Sequence, residues 1–117
     1  MAGFTDSALN DAVNGIAAAA TYISAHTADP STGGGSEVAG GSYARQQTTW
    51  GSASSGDRVG SQVAIPIPAS TTVTHWGLWS AVTGGTFKGG FALAGGSEAF
   101  SAAGTLNHTP TLDVDQG

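Results

Sequence analysis

The run from Ser24 to Arg45, S-A-H-T-A-D-P-S-T-G-G-G-S-E-V-A-G-G-S-Y-A-R, decides how the chain reads. It opens inside Thr21–Thr27, where side chains alternate with period two: Ile23 and Ala25 on one face, Tyr22 and His26 on the other. Asp29-Pro30 ends that strand, because the residue before proline is driven out of the helical region. Ser31–Gly41 is rich in residues that tolerate positive φ and carries one acid, Glu37. Regular structure resumes at Ser42-Tyr43-Ala44-Arg45, the start of a second strand expected to reach Trp50.

Upstream, the period changes. Thr5 is a helix cap, Asp6 meets the positive end of the helix dipole, and Phe4 can pack on Leu9 as a staple. Leu9, Val13 and Ile16 recur at four and three residues, an apolar stripe of two to four helical turns within residues 4–20. Whether Ala17–Ala20 extends the helix or begins the first strand stays open at this level.

Downstream, the pattern stays β. Gly51–Gly60 reads as a polar loop and Val63–Pro68 as a third strand. Pro66 and Pro68 remove two donors from the same side of it, which predicts an edge strand. Thr71–Ala81 and Thr86–Ala94 are joined by the turn signal Gly84-Gly85. Ser97–Ser101 and Thr105–Val114 follow, split near Ala103-Gly104 and bent at Pro110. Six to eight short strands without βαβ alternation predict a mainly β fold, an antiparallel β-sandwich or barrel-like domain with one short N-terminal helix. The 117 residues read as one domain, with residues 1–20 a helical arm and 21–117 the β-domain. Such a chain buries about two-thirds of its unfolded surface, enough for one core.

Only 9% of the residues are charged, against a typical ~25%. Arg45, Arg58 and Lys88 stand against eight acids, for a net charge of −5. A surface that tracks phosphates needs clustered cations, so nucleic acid is not an expected partner. There is no cysteine, hence neither disulfide nor thiolate metal site. No apolar run approaches the length of a membrane span, and no signal peptide is evident. A weakly charged surface is best tolerated when neighbours cover it, which favours a component of an assembly.

Candidate chemistry is sparse. His26, His75 and His108 do not fall at ligand spacing, so no metal or other cofactor is expected. His26-Thr27-Ala28-Asp29 reads as a local network pinning the strand end. No G-x-S-x-G elbow accompanies the serines, and the glycine runs lack a phosphate loop's lysine and helix. Asp113 and Asp115 share a strand face and read as a solvated edge or a weak cation contact, not as a glycosidase pair. No catalytic residue is assigned and no enzyme activity expected. Arg45 is expected to bind the Glu37 carboxylate or carbonyls and fix the loop to the sheet, with Tyr43 packed beneath it. Trp76 and Trp79 lie three apart, so one should be core and the other outward, where it could meet a subunit or stack on a sugar ring. Leu9 and Val13 on the helix, Glu37 in the Gly33–Gly41 loop and the outward tryptophan are the candidate contact residues.

The chain also resembles a family of small phage virion proteins. In that family a strand ending H-T-x-D-P is followed by a Gly-rich loop with N/S-E-V and then G-G-S-Y-A-R. A second block, V-T-H-x-G-[LI]-W followed by T-G-G-x-F-x-G-G, matches Val73–Trp79 and the segment after it. The resemblance runs from about Tyr22 to about Asp115, with Ser36 where asparagine is common and Trp76 where many members carry a smaller or phenyl side chain. Members are described as minor tail or tail-fibre proteins. The resemblance implies a structural component of the virion, made in the host cytoplasm. Size, with no coiled coil or shaft repeat, favours a capsid decoration protein that oligomerises on the head and stabilises it. The family description favours the alternative, a minor tail or tail-fibre-associated protein, and a receptor- or glycan-binding module is a further alternative. The expected partners are further copies of the chain, as a homotrimer or other homo-oligomer, and the major capsid protein or tail proteins.

Overall fold

A computed structural model describes residues 4–114, so Asp115 lies outside the described part. The first element is helix α1, Asp6–Ala19. Thr5 caps it, its side-chain oxygen accepting from the Ala8 amide at 3.2 Å. The alanine run continues the helix until Ala20 turns extended, at φ −135°. The buried stripe is Leu9, Val13 and Ala17, with Ile16 only half-buried at its flank. Phe4 remains 69% exposed, so Leu9 covers little of its ring.

Ten short strands follow among the described residues: β1 Tyr22–His26, β2 Gln46–Gln47, β3 Asp57–Val59, β4 Val63–Ile67, β5 Thr71–Val73, β6 His75–Trp79, β7 Phe87–Ala92, β8 Glu98–Phe100, β9 Gly104–His108 and β10 Thr111–Asp113. The largest sheet has the order β2-β1-β6-β7 and is antiparallel throughout. Three two-stranded antiparallel ladders, β3–β10, β4–β9 and β5–β8, complete the fold. The protein is mainly β with one short helix, and no barrel closes among the described residues.

Three strand expectations need correction. Ser42–Trp50 contributes only Gln46–Gln47 to a sheet, because Tyr43 and Arg45 turn their side chains back onto the preceding loop. Thr71–Ala81 breaks at Thr74, whose amide bonds His26 while its carbonyl takes the Leu93 amide. One half therefore pairs with β8 and the other with β1. The loop 51–60 contains β3, which pairs with β10. The proline-bearing strand β4 has a single ladder partner among the described residues, β9, with Pro66 opposite Thr105. That agrees with an edge from which donors are missing.

One face of the large sheet builds the core. Ile23, Ala25, Trp76 and Leu78 project there and meet Val13, Ile65, Val73, Leu106 and Leu112 in one apolar cluster. Burying such side chains contributes about 1.5–3 kcal/mol each before entropy is counted. The other face is buried too: Ser24 and His26 are both fully inaccessible. What covers them is the loop after β1. The molecule is elongated, 49 × 25 × 24 Å, with a radius of gyration of 14.6 Å.

Candidate functional site

The loop after β1 folds back over the sheet by local chemistry. Asp29 Oδ1 accepts from the Ser31 amide, and the Gly34 amide bonds the Pro30 carbonyl. Gly34 sits at φ +73°, so close to the sheet that a Cβ there would lie 2.8 Å from Phe87 and Trp79 atoms. Only glycine meets both demands. The chain then returns beside β1 through Thr27 N–H to Ser36 O, a bridge between His26 and Glu37, and Val38 N–H to Ala25 O. Gly40 and Gly41, both at positive φ, turn it again and bring Tyr43 and Arg45 back toward Glu37.

There the side chains form a clasp. Arg45 donates from Nε to Glu37 Oε2 at 2.8 Å and from Nη2 to Oε1 at 2.9 Å, a bidentate fork. Its Nη1 donates to the carbonyls of Ala81 at 3.0 Å and Gly84 at 2.8 Å. The guanidinium carbon lies 3.6 Å from the Trp79 ring centroid. Tyr43 donates its hydroxyl to Glu37 Oε2 at 2.7 Å and accepts from the Ala25 amide at 3.1 Å. One cation thus joins the 31–41 loop, the sheet and the β6–β7 hairpin. Burial pushes the Glu37 carboxyl up, but the hydrogen bonds from Arg45 and Tyr43 and the Arg45 charge outweigh it and hold it below its usual range. Burial, together with the neighbouring Glu37 carboxylate, raises the Tyr43 phenol far above its ordinary value.

Beneath the clasp runs a directional chain of hydrogen bonds. The Trp79 indole donates to Ser24 Oγ at 3.0 Å, Ser24 Oγ lies 2.7 Å from His26 Nε2, and His26 Nδ1 lies 2.8 Å from the Gly35 carbonyl. An indole only donates and a carbonyl only accepts. The network therefore assigns the proton to Nδ1 and makes Ser24 the donor to Nε2. Burial lowers the His26 pKa, against the opposing pull of the Gly35 carbonyl and the Glu37 charge, so the ring is held neutral.

The predicted residues divide sharply. Glu37, Tyr43, Arg45, His26 and Trp79 come together. Asp29 does not join them; it caps its own turn, and the partners of His26 are Ser24 and Gly35. Trp76 is the core tryptophan, 4% exposed, stacked between Phe91 and His108 at centroid distances of 4.9 and 4.8 Å. Trp79 lies on the other face, half-buried, against Arg45 and Phe87. Leu9 and Val13 are buried in the chain's own core, which corrects their reading as contact residues: a side chain facing inward offers nothing to a partner. No spacing in the sequence marks Ser24 or Gly35, because their partners are set by folding. Arg58, for which the sequence suggests no partner, also holds the fold together. It donates to the carbonyls of Gly51 and Trp50 and to Asn14 Oδ1, tying α1 to the loop before β3. The rarity of cations was the signal available for it. No three His, Asp or Glu side chains gather as a metal site among the described residues, and no helix is long and apolar enough to cross a membrane.

Asp29, Glu37, Arg45 and Arg58, four of the chain's eleven charged residues, use their side chains to fasten its own loops in a mainly β fold. The family model for the podophage GP4 fiber I protein gp80 matches residues 4–111, and the chain belongs to that family of phage virion proteins. No curated protein and no solved structure matches it.

Proposed function

We propose that this chain is a structural subunit of a phage tail fibre and carries no catalysis. The observation that supports this reading most directly is the match of the fibre-protein family across residues 4–111. The geometry is in keeping with it: two of the three cations are engaged in holding loops, and the polar groups of the clasp are paired with one another. Size, with no coiled coil or shaft repeat, favours capsid decoration, but the family match supports the fibre alternative better.

The subunit works as an oligomer, with contacts that are mostly uncharged. Its outward apolar side chains are Phe4, Val59, Val82 and Phe91, each at least 43% exposed. Phe91 lies on β7, the last strand of the large sheet, whose outer edge has no ladder partner among the described residues. Such an edge is a ready template for another chain. Quantitative mass spectrometry of purified particles, with antibody labelling under the electron microscope, tests the placement. A handful of copies with label at the tail is the expected result. Hundreds of copies spread over the head would replace the fibre reading with decoration.

A further inference from the structure

Strand β7 ends the large sheet with backbone groups left over. The Leu93 amide bonds the Thr74 carbonyl, and along an antiparallel pair the residues whose backbone faces the neighbour alternate. Phe91 and Gly89 therefore turn their N–H and C=O groups to β6, opposite Trp76 and Leu78, while Gly90 and Ala92 turn theirs outward. No strand meets them there among the described residues. Other free edges are poorer templates: β2 is two residues long, and β4 carries Pro66, which has no donor.

The β7 edge is also undefended. Edge strands are commonly guarded by charge or by proline, and from Gly89 to Ser97 the chain carries neither. Pro30 packs on one face of the strand at Gly90, where a Cβ would collide with it. The opposite face carries Phe91, 43% exposed and stacked on Trp76 at 4.9 Å.

We propose that two copies of this chain pair through β7 across a two-fold axis at Phe91, joining their two four-stranded sheets edge to edge. The strand itself selects that register. With Phe91 opposite its own copy, Gly90 and Ala92 of one chain exchange backbone hydrogen bonds with Ala92 and Gly90 of the other, so both outward residues are used. An axis at Gly90 would set Ala92 against Lys88, where the register shift between β6 and β7 interrupts the ladder. An axis at Ala92 would set Gly90 against Ala94, beyond the end of the strand. Phe91 occupies the non-hydrogen-bonded position, where cross-strand side chains come closest. Its ring meets its counterpart and extends a stack that already runs from His108 through Trp76. Lys88 is three residues from the axis, which keeps the two ammonium groups roughly 20 Å apart. The inference rests on the reading of the chain as an oligomer with mostly uncharged contacts. Gly90, Phe91 and Ala92 on each side make a contact well below the ~1,200 Å² of standard interfaces, so a dissociation constant on the order of 0.1 mM is expected. Multivalent display on a particle would compensate.

Sedimentation equilibrium of the purified chain from about 10 μM to 1 mM should show a reversible monomer–dimer step. Ala92→Pro removes an outward donor and spares the β6 ladder, so it should raise the dissociation constant at least about tenfold. Val59→Asp, exposed on β3, should leave it unchanged. Disulfide trapping reads the register separately, and decides the matter if Ala92→Pro melts early, because the chain has no cysteine of its own. Phe91→Cys should cross-link to its copy under mild oxidation, since a non-hydrogen-bonded pair brings Cα atoms about 4.5 Å apart, within disulfide reach. Lys88→Cys and Ala94→Cys should not. A trimer, or a dimer that Val59→Asp disrupts and Ala92→Pro leaves intact, overturns the pairing while the oligomer reading stands. Equal cross-linking at positions 88, 91 and 94 overturns it as well. A chain that stays monomeric to about 1 mM and yields no Phe91→Cys cross-link overturns both. Placement on the fibre is decided apart from these, by copy number and labelling.

Discussion

Arg45 lays its guanidinium 3.6 Å above the Trp79 ring while its fork grips Glu37. Their backbones are 34 residues apart, and the stack covers the indole that would otherwise be offered to a ligand or neighbour. The pair's side chains are well shielded, Arg45 at 8% exposure and Glu37 at 22%. This is the regime where removing one partner of an ion pair leaves an uncompensated charge. Arg45→Ala is therefore expected to cost about 3–4 kcal/mol in urea unfolding. Arg45→Lys should recover little, because an ammonium cannot reproduce the fork. A loss below about 0.5 kcal/mol, the range of exposed pairs, would mean the clasp does not hold the loop.

Trp79→Ala should act on the fold before it acts on any interface. It removes the cation–π stack, the Phe87 contact and the donor to Ser24 together. A fall in melting temperature with loss of near-ultraviolet dichroism is expected. An unchanged melting curve with impaired assembly would restore Trp79 as a contact residue.

Acid should loosen the molecule in two stages. His26 and His108 both take their proton below the 6.5 of an unfolded imidazole, chiefly because they are buried. As pH falls through 6.5 the unfolded chain binds protons that the folded chain refuses, so stability drops. The Glu37 carboxyl sits below its ordinary 4.5, so its contribution is present above that value and lost as pH falls through the lower folded one. Urea midpoints measured from about pH 8 to pH 3 should show both declines. His108→Leu should flatten the first; a midpoint that rises on acidification to about pH 5 would contradict the assignment.

Two glycines should respond with opposite sign. Gly77 is buried, and a Cβ there would lie 2.6 Å from Ser24 Oγ and 2.8 Å from His26 Nε2. Gly77→Ala is expected to cost about 1–3 kcal/mol by overpacking. Gly15 is helical with open space around it, so Gly15→Ala should stabilise by about 0.5–1 kcal/mol. Thermal melts of the two variants should move apart.

Association should resist salt. Raising ionic strength from about 0.1 to 1 M shortens the screening length from about 10 to 3 Å, which matters only where exposed charges meet. Sedimentation of the purified chain and its retention on particles should change little, whereas Phe91→Asp should weaken both. Dissociation by salt alone would show that charge holds the assembly together.

The helix start capped by Thr5, the β pattern after the helix, the break at Asp29-Pro30 and the turn at Gly84-Gly85 are all legible in the residues, whereas the side on which Ala17–Ala20 falls is not. Each depends on neighbours a few positions away: a cap, a 4-3 spacing, an alternation, a fixed or left-handed φ. Charge scarcity pointed in the same way to Arg45 and to the acid beside it. Tertiary structure decided which tryptophan is core, because facing opposite ways does not say which way is inward. It also withdrew most of Ser42–Trp50 from the sheets, since Tyr43 and Arg45 are drawn to Glu37. His26 found Ser24 and Gly35 in place of Asp29, and the donor that completes its chain comes from Trp79, 55 residues beyond Ser24. Such pairings are settled by where the whole chain brings donors and acceptors out of water, and no local periodicity carries that information.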